Sequence, residues 1–319
     1  MTGRVLVIKL SALGDFLQAL GPFAAIRDHH KEAHITLLTT APFQEMAERC
    51  GYFNEVWLDR RAKFWQVADW MKLRAQLREA RFERVYDLQT SDRSSFYFRL
   101  FFPGPFPEWS GIARGCSHPH TNPKRDFQHT IERQAEQLQM AGIADVPFAS
   151  VDWMTADASR FHLPKPYVLL VPGGAPHRPE KRWPETQYAA LAGLLVACGR
   201  TPVLLGTQAE AEALDAIAAA CPEAVSLAGQ TNLFDIAALA REAEAALGND
   251  TGPMHLIAIA GCPAIALFSG ASDPTLCAPR GRRVTILRRE SLATLAPEEV
   301  MAALSLPEAT EGPAGPGRP

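Results

Sequence analysis

Residues 4–15 read RVLVIKLSALGD, and this stretch decides the fold of the first half of the chain. Residues 4–9 have the apolar character of a buried strand, Gly14 permits a tight turn, and a helix is predicted over 15–29. Strands and helices continue to alternate up to residue 150. The predicted strands are 34–38, 55–58 and 84–88, and the predicted helices are 42–50, 64–81, one from 91, and 126–140. This alternation predicts a parallel sheet wrapped by helices.

Two stretches interrupt the pattern. Residues 103–123 are rich in Pro, Gly and His and are expected to be an irregular functional loop. Residues 150–166 are expected to be a linker, after which the alternation restarts. The predicted strands are then 167–171, 202–205, 224–227, 245–247, 264–268 and 283–287, and the predicted helices are 184–198, 210–220, 233–242, 253–260 and 297–304. We therefore expect α/β domains at 1–155 and 156–306, and a disordered tail at 307–319.

Two doubly wound halves of this kind place ligands at the carboxyl ends of their strands, and we expect the two halves to face an interdomain cleft. Composition agrees with a globular protein, since 47% of the 319 residues are hydrophobic, 21% are charged and the net charge is -3. No global positive field favours nucleic acid as a partner.

The six scattered cysteines form no CxxC pair and the chain opens on no signal peptide, so a cytoplasmic location is expected.

Residues 251–272 contain no Asp, Glu, Lys or Arg and are long enough to cross a bilayer as one helix. Pro253 suits a first helical turn, and Gly261-Cys262-Pro263 stops a helix. We expect a helix, a turn and a buried strand here.

The charge is unevenly distributed along the chain. Residues 60–133 carry 14 Lys and Arg against 8 Asp and Glu, a local excess of +6. This excess is typical either of solvated helix faces or of a site for an acidic substrate or an anionic membrane surface. Lys124 and Arg125 lie in this stretch, just beyond the irregular loop.

The turn between the first strand and the first helix reads KLSALGD, residues 9–15. Asp15 is either a helix-capping carboxylate or a general base, with Lys9 or backbone N–H groups holding an anionic group beside it. The glycine spacing is not GxGxxG and GxxxxGK[ST] does not occur, so no known dinucleotide or P-loop motif is present.

Three turns of the second half carry polar residues at strand ends. After Pro172-Gly173-Gly174 comes Lys181, which either meets a phosphate or belongs to an exposed basic turn. The run GNDTGPMH, residues 248–255, is either a capped helix start or a ligand site that includes His255. Glu210 is either a first-turn helix carboxylate or a ribose ligand. DxD does not occur in the sequence, so no metal site is expected.

Taken together, KLSALGD, PGG followed by KRWP, and GNDTGPMHLIAIAG resemble glycosyltransferase family 9, which contains the ADP-heptose:lipopolysaccharide heptosyltransferases. The resemblance extends over residues 4–287 in the same order and spacing. It implies a GT-B fold whose N-terminal domain binds a lipid-sugar acceptor and whose C-terminal domain binds a nucleotide-sugar, here ADP-heptose.

The resemblance also implies roles for individual residues. Asp15 matches the catalytic base, which deprotonates an acceptor hydroxyl for an inverting displacement at the anomeric carbon. Lys181 matches the lysine that meets the donor diphosphate. The full set of predicted donor-binding residues is Gly174, Lys181, Glu210, Thr231, Asp250, Thr251, Gly252 and His255. The predicted acceptor-binding residues are Lys9, Ser11, Gly14, Lys124 and Arg125.

The partners expected on this basis are the donor, an anionic lipid-sugar acceptor of the lipopolysaccharide core, and the inner face of the inner membrane through peripheral contact. A lysine and a helix N-terminus would replace a metal, so no cofactor is expected. Two alternatives stay open at this point. One is another GT-B enzyme such as a nucleotide-sugar epimerase, and the other is a non-catalytic sugar-nucleotide-binding protein.

Overall fold

The computed structural model describes residues 3–306 and divides into two compact units. Unit 1 comprises residues 3–154 with 275–277, and unit 2 comprises residues 155–274 with 278–306. The predicted disordered tail, 307–319, lies outside the described residues.

Unit 1 contains a six-stranded sheet in which every pairing is parallel. The strands are β1 (Arg4–Ile8), β2 (His34–Thr39), β3 (Glu55–Leu58), β4 (Arg84–Asp87), β5 (Glu108–Gly111) and β6 (His118–Pro119). Their spatial order is β3-β2-β1-β4-β5-β6. The accompanying helices are α1 (Leu13–Gln18), α2 (Leu20–His29), α3 (Gln44–Arg49), α4 (Val67–Glu79), α5 (Asp92–Arg99) and α6 (Thr130–Met140).

Two local predictions in unit 1 are wrong. The expected irregular loop 103–123 contains β5 and β6, because buried residues such as Trp109 and Ser110 extend the sheet beside β4. The expected single helix 15–29 is two helices, α1 and α2, which meet at Ala19.

Unit 2 repeats the architecture of unit 1 with a second six-stranded parallel sheet. Its strands are β7 (Tyr167–Val171), β8 (Thr201–Leu204), β9 (Val225–Ser226), β10 (Ala245–Asn249), β11 (Ala264–Phe268) and β12 (Val284–Arg288), in the order β12-β11-β10-β7-β8-β9. The remaining helices of the chain are α7 (Glu185–Ala197), α8 (Ala211–Ala220), α9 (Leu233–Glu242), α10 (Gly252–Ile259), α11 (Pro274–Cys277) and α12 (Pro297–Leu304). The predicted pair of helix-wrapped parallel sheets is confirmed.

Each sheet has one point at which the strand order reverses. In unit 1 the reversal falls between β1 and β4, and in unit 2 between β7 and β10. At such a point the loops after the two strands diverge to opposite faces of the sheet and leave a crevice for a ligand. The topology therefore predicts one ligand-binding edge in each unit.

Each unit has its own apolar core. In unit 1 the fully buried Leu6 and Ile8 of β1 pack in a cluster with Trp109, and in unit 2 Val168 and Leu170 of β7 pack in a cluster with Trp183. The uncharged run 251–272 forms α10, a turn and β11, as predicted. Within residues 3–306, no helix has both the length and the apolar character that crossing a membrane requires.

Candidate active site

The turn after β1 is held in place by contacts from distant parts of unit 1. Gln89, which follows β4, accepts hydrogen bonds from the Leu10 and Ser11 N–H groups at 2.8 and 3.1 Å. The Arg61 Nη2 donates to Ser11 Oγ at 2.7 Å. These contacts fix the backbone that leads into α1 and presents Asp15. Neither Arg61 nor Gln89 was predicted from the sequence.

Asp15 lies in the first turn of α1 and is half-buried. Its Oδ2 accepts the Ala12 N–H at 3.2 Å, which is the carboxylate half of a capping box. One carboxylate oxygen is therefore engaged in capping, and the capping role foreseen for this residue is present. This bond does not use the other oxygen, and a carboxylate oxygen can accept a further proton or hydrogen bond.

Two cationic side chains interact electrostatically with Asp15. Lys9 is buried and donates to the Leu88 carbonyl at 3.2 Å, and burial lowers its pKa while the charge of Asp15 opposes that shift. The pKa of Arg133, on α6, is also lowered by burial and by the neighbouring Arg125, and Asp15 again opposes the shift. Asp15 therefore has two cationic neighbours at this edge of unit 1.

The predicted acceptor-binding residues are distributed over this edge of unit 1. Lys9, Ser11 and Gly14 lie in the turn itself. Lys124 is exposed, whereas the Arg125 side chain is 14% exposed and pairs through Nη1 with Asp126 at 2.8 Å. Its buried Nε and Nη2 atoms have no hydrogen-bond partner within the described part of the chain. Buried guanidinium donors without partners are suited to an anionic ligand.

A second carboxylate, Asp87, lies at the end of β4 beside the same turn. It is fully buried; Oδ1 accepts the N–H groups of Gln89 and Thr90, and Oδ2 has no hydrogen-bond partner among residues 3–306. Burial raises its pKa to about 6, and the nearby Lys9 counteracts part of that shift. A Cβ at position 111 would lie 3.0 Å from the Trp109 Nε1 and 3.1 Å from the Asp87 Cβ, so glycine leaves room for this close packing.

In unit 2, Asn249 joins the two strands that flank the reversal of strand order. Its side chain is fully buried, donates to the carbonyls of Pro172 and Gly173 at 2.7 and 3.1 Å, and accepts the Trp183 N–H at 2.9 Å. The turn after β7, the approach to α7 and the end of β10 are thereby fixed together. The motif GNDTGPMH contains Asn249, but the sequence did not predict a site role for it.

Lys181 and Asp250 form an ion pair at this edge. The Nζ to Oδ2 distance is 2.7 Å, and the side chains are only 15% and 9% exposed. The neighbouring Arg182 donates to the Gly174 carbonyl at 2.6 Å, while its buried Nε has no partner within the described residues. The PGG turn, the KRWP segment and the start of the GNDTGPMH motif are thus brought together, and Lys181 is not part of an exposed basic turn.

Glu210 lies against the glycine turn. One carboxylate oxygen accepts the Gly174 N–H at 2.9 Å, and the other accepts the N–H and hydroxyl of Thr207 at 2.8 and 2.9 Å. A Cβ on Gly173 would lie 1.8 Å from the first oxygen, so this approach requires glycine. Glu210 therefore organises two turns of the predicted donor site.

The other predicted donor residues occupy neighbouring turns of unit 2. Thr251 is the N-cap of α10 but its side chain makes no capping hydrogen bond, and Gly252 is the first helical residue. His255, in the same helix, is buried. Thr231 is half-buried and follows Gly229, whose N–H donates to the Gly206 carbonyl at 2.9 Å. Ligand contacts for these residues stay predictions.

Residues 3–306 bring no three His, Cys, Asp or Glu side chains together as a metal-binding group. The expectation that the enzyme needs no metal remains a prediction.

The two parallel sheets have the same strand order, and each has a polar edge at its reversal point, so the chain has the GT-B fold. The chain belongs to glycosyltransferase family 9 (heptosyltransferase), because the family model matches residues 70–302. It is accordingly a transferase, and the epimerase and non-catalytic alternatives are not favoured.

The chain is similar to characterised heptosyltransferases over nearly its whole length. It is 26% identical over 310 residues to lipopolysaccharide heptosyltransferase 2 of Escherichia coli, covering 89% of this chain and 88% of the relative. It is 25% identical to lipopolysaccharide heptosyltransferase 1 of the same organism, covering 95% of this chain and 99% of the relative.

The fold is shared with solved structures. The structure of E. coli ADP-heptose lps heptosyltransferase II aligns with a TM-score of 0.77 at 23% identity, over 94% of this chain and 98% of the other. The E. coli heptosyltransferase WaaC with ADP aligns with a TM-score of 0.73 at 23% identity, over the same 94% and 98%.

Proposed function

We propose that this protein transfers a heptose from ADP-heptose to an acceptor sugar of the lipopolysaccharide core, with inversion at the anomeric carbon. The observation that carries the proposal is the ion pair between Lys181 and Asp250 at the strand-order reversal of unit 2. It brings together the two family motifs predicted to bind the donor.

The donor would be held by unit 2. A diphosphate reaching Lys181 would share its ammonium group with Asp250, and the start of α10 after Thr251 would add the positive end of a helix dipole. The Nε of Arg182, which has no partner in the described part of the chain, is a further donor at this edge. These groups would stabilise the negative charge that develops on the leaving ADP, with no metal required.

The chemical step would be a single displacement. Asp15 takes the proton of the acceptor hydroxyl while the oxygen of that hydroxyl bonds to the anomeric carbon. At the same time, the bond from the anomeric carbon to the ADP oxygen breaks, and ADP leaves. Lys9 and Arg133, which interact electrostatically with Asp15, lie beside this proposed base. Arg125, whose Nε and Nη2 have no hydrogen-bond partner among residues 3–306, would bind an anionic group of the acceptor.

The enzyme would act in the cytoplasm, in peripheral contact with the inner face of the inner membrane, because its acceptor carries a lipid anchor. The test is an incubation of purified protein with ADP-heptose and a lipopolysaccharide core acceptor. We expect ADP release together with an acceptor that is heavier by one heptose unit in mass spectrometry. ADP release without a heavier acceptor, or no turnover with any core acceptor, would contradict the proposal.

A further inference from the structure

One surface of unit 1 exposes large apolar side chains that the proposed chemistry does not use. Phe64 is 84% exposed, Trp65 60%, Val67 65% and Met71 55%. These four residues, which we call the aromatic surface, occupy the segment before α4 and the first turns of that helix. Contiguous exposed apolar side chains of this size mark interaction sites rather than ordinary surface.

The aromatic surface has a defined conformation. The Phe64 and Trp65 rings pack edge to face with centroids 4.7 Å apart. The backbone beneath them is fixed because Gln66 Oε1 accepts the Lys63 N–H at 2.7 Å and Trp70 Nε1 donates to the Lys63 carbonyl at 3.0 Å. The two rings are therefore presented outward on an ordered turn.

The segment that carries the aromatic surface is rich in basic residues. Residues 60–81 contain seven Lys and Arg against two Asp and Glu, a net charge of +5. The Lys63 Nζ lies 5.1 Å from the centroid of the Trp65 ring, and Lys72, next to Met71, is exposed. Aromatic rings flanked by lysines match the interface of an anionic bilayer, where rings enter the headgroup region and lysines meet phosphates.

The surface is linked to the turn that presents Asp15. The Ala62 carbonyl accepts Arg93 Nη1 at 3.0 Å, and Arg61, two residues before Lys63, donates to Ser11 Oγ. A bilayer under Phe64 and Trp65 would therefore hold unit 1 with the turn at Ser11 close to lipid headgroups. This link to an acceptor rests on the proposed function, whereas binding to lipid does not.

We propose that the aromatic surface, with Lys63 and Lys72, docks unit 1 on an anionic phospholipid bilayer. The partner is the lipid surface itself, recognised by two inserted rings and by electrostatic attraction of the lysines to acidic headgroups.

The experiment is flotation of the full chain with two kinds of vesicle, phosphatidylcholine alone and phosphatidylcholine mixed with phosphatidylglycerol. Wild type is expected to bind the mixed vesicles more strongly than the phosphatidylcholine vesicles. High salt should weaken binding to the mixed vesicles, because the charges are screened. The double variant Phe64→Ser with Trp65→Ser should partition at least about tenfold more weakly, because two apolar side chains no longer leave water.

Matched variants separate the contributions. Phe148→Ser removes another exposed aromatic side chain of unit 1, 61% exposed, and should bind as wild type does. Lys63→Gln with Lys72→Gln should weaken binding to the mixed vesicles by about fivefold per lysine at low salt, with little change on phosphatidylcholine. All variants should keep the wild-type Tm and the wild-type affinity for ADP. These two measurements check that each variant is folded.

Wild type that stays unbound to mixed vesicles would overturn the proposal, as would a Phe64→Ser with Trp65→Ser variant that binds like wild type. If wild type binds no vesicles but is a dimer, and the Phe64→Ser with Trp65→Ser variant is a monomer, the surface instead binds a second copy of the chain. Turnover of a deacylated, water-soluble acceptor should be unchanged in the variant. Loss of glycosyl transfer in wild type would refute the proposed function without affecting the vesicle result.

Discussion

Lys181 and Asp250 are 69 residues apart in sequence, yet the Nζ of one lies 2.7 Å from the Oδ2 of the other. The pair is mostly shielded from water, unlike the pair of Lys165 and Glu242, which has the same 2.7 Å distance but side chains 62% and 46% exposed. Removing one partner of a shielded ion pair destabilises the folded protein, because the other charge is left uncompensated away from water. A diphosphate that reaches Lys181 would be a second anionic partner for its ammonium group.

Lys181→Ala should weaken ADP binding by about 1.5–3 kcal/mol, the scale of hydrogen bonds to charged groups, as measured by isothermal titration calorimetry. The variant should also lower Tm, because Asp250 loses its cation. Lys165→Ala is the matched control and should leave ADP binding unchanged, with a stability loss of about 0–1 kcal/mol typical of exposed pairs. Equal ADP affinity in wild type and Lys181→Ala would exclude the phosphate role.

Asp15→Asn should reduce kcat by about 10²–10⁴-fold, because the amide cannot take the acceptor proton but can still accept the Ala12 N–H. ADP affinity should not change. Asp92→Asn alters a carboxylate in the first turn of another helix of unit 1, α5, and should retain full turnover. Near-normal kcat in Asp15→Asn would rule out the general-base assignment.

Asp87→Asn should change how stability depends on pH. Burial raises the folded-state pKa of Asp87 to about 6, above its value in the unfolded chain, so the folded state binds the proton more tightly. The resulting stabilisation is complete below about pH 4 and is lost as pH rises towards 6, a change of the order of 3 kcal/mol. Urea denaturation between pH 4 and pH 6 should show that the free energy of unfolding of wild type falls as pH rises, and that this fall is smaller in the variant. Parallel plots of unfolding free energy against pH for the two proteins would contradict this.

Asn249→Ala should destabilise the protein by about 2–4 kcal/mol, because the carbonyls of Pro172 and Gly173 and the Trp183 N–H lose a buried partner. It should also weaken ADP binding, since the glycine turn is no longer fixed. Tyr188→Phe removes only a hydroxyl beside Asn249 Oδ1 and should cost about 1 kcal/mol. Urea denaturation and calorimetry of both variants check this, and full stability in Asn249→Ala would refute it.

Neutralising Lys124 and Arg125 with glutamine should raise the KM for the acceptor and reduce its salt sensitivity while leaving the donor KM unchanged. The reason is that the Arg125 Nε and Nη2, which no group within residues 3–306 accepts from, would no longer be present to bind an acceptor anion. Lys31→Gln, at an exposed lysine of the same unit, is the control. An acceptor KM that stays at the wild-type value across a salt series would instead identify these two residues as a solvated face.

Strand-end motifs could be predicted from the sequence because parallel strands end at one edge of a sheet. Pro172-Gly173-Gly174 follows β7, and Asn249 is the last residue of β10 with Asp250 directly after it. These two strands are neighbours in the sheet. The contacts of Arg61 and Gln89 with Ser11 span 50 and 78 residues and depend on side-chain packing, which no local pattern encodes. The strands β5 and β6 were missed because they are four and two residues long and lie among Pro and Gly.

The proposed donor residues all belong to unit 2, and Asp15 with the proposed acceptor residues all belong to unit 1. Each set is supported by its own sheet and its own core. On this proposed assignment, substitutions that alter the choice of acceptor would accumulate in unit 1 without disturbing the nucleotide site of unit 2. Such a division would let a lineage diversify the acceptor sugars that it modifies while its activated donor stays the same.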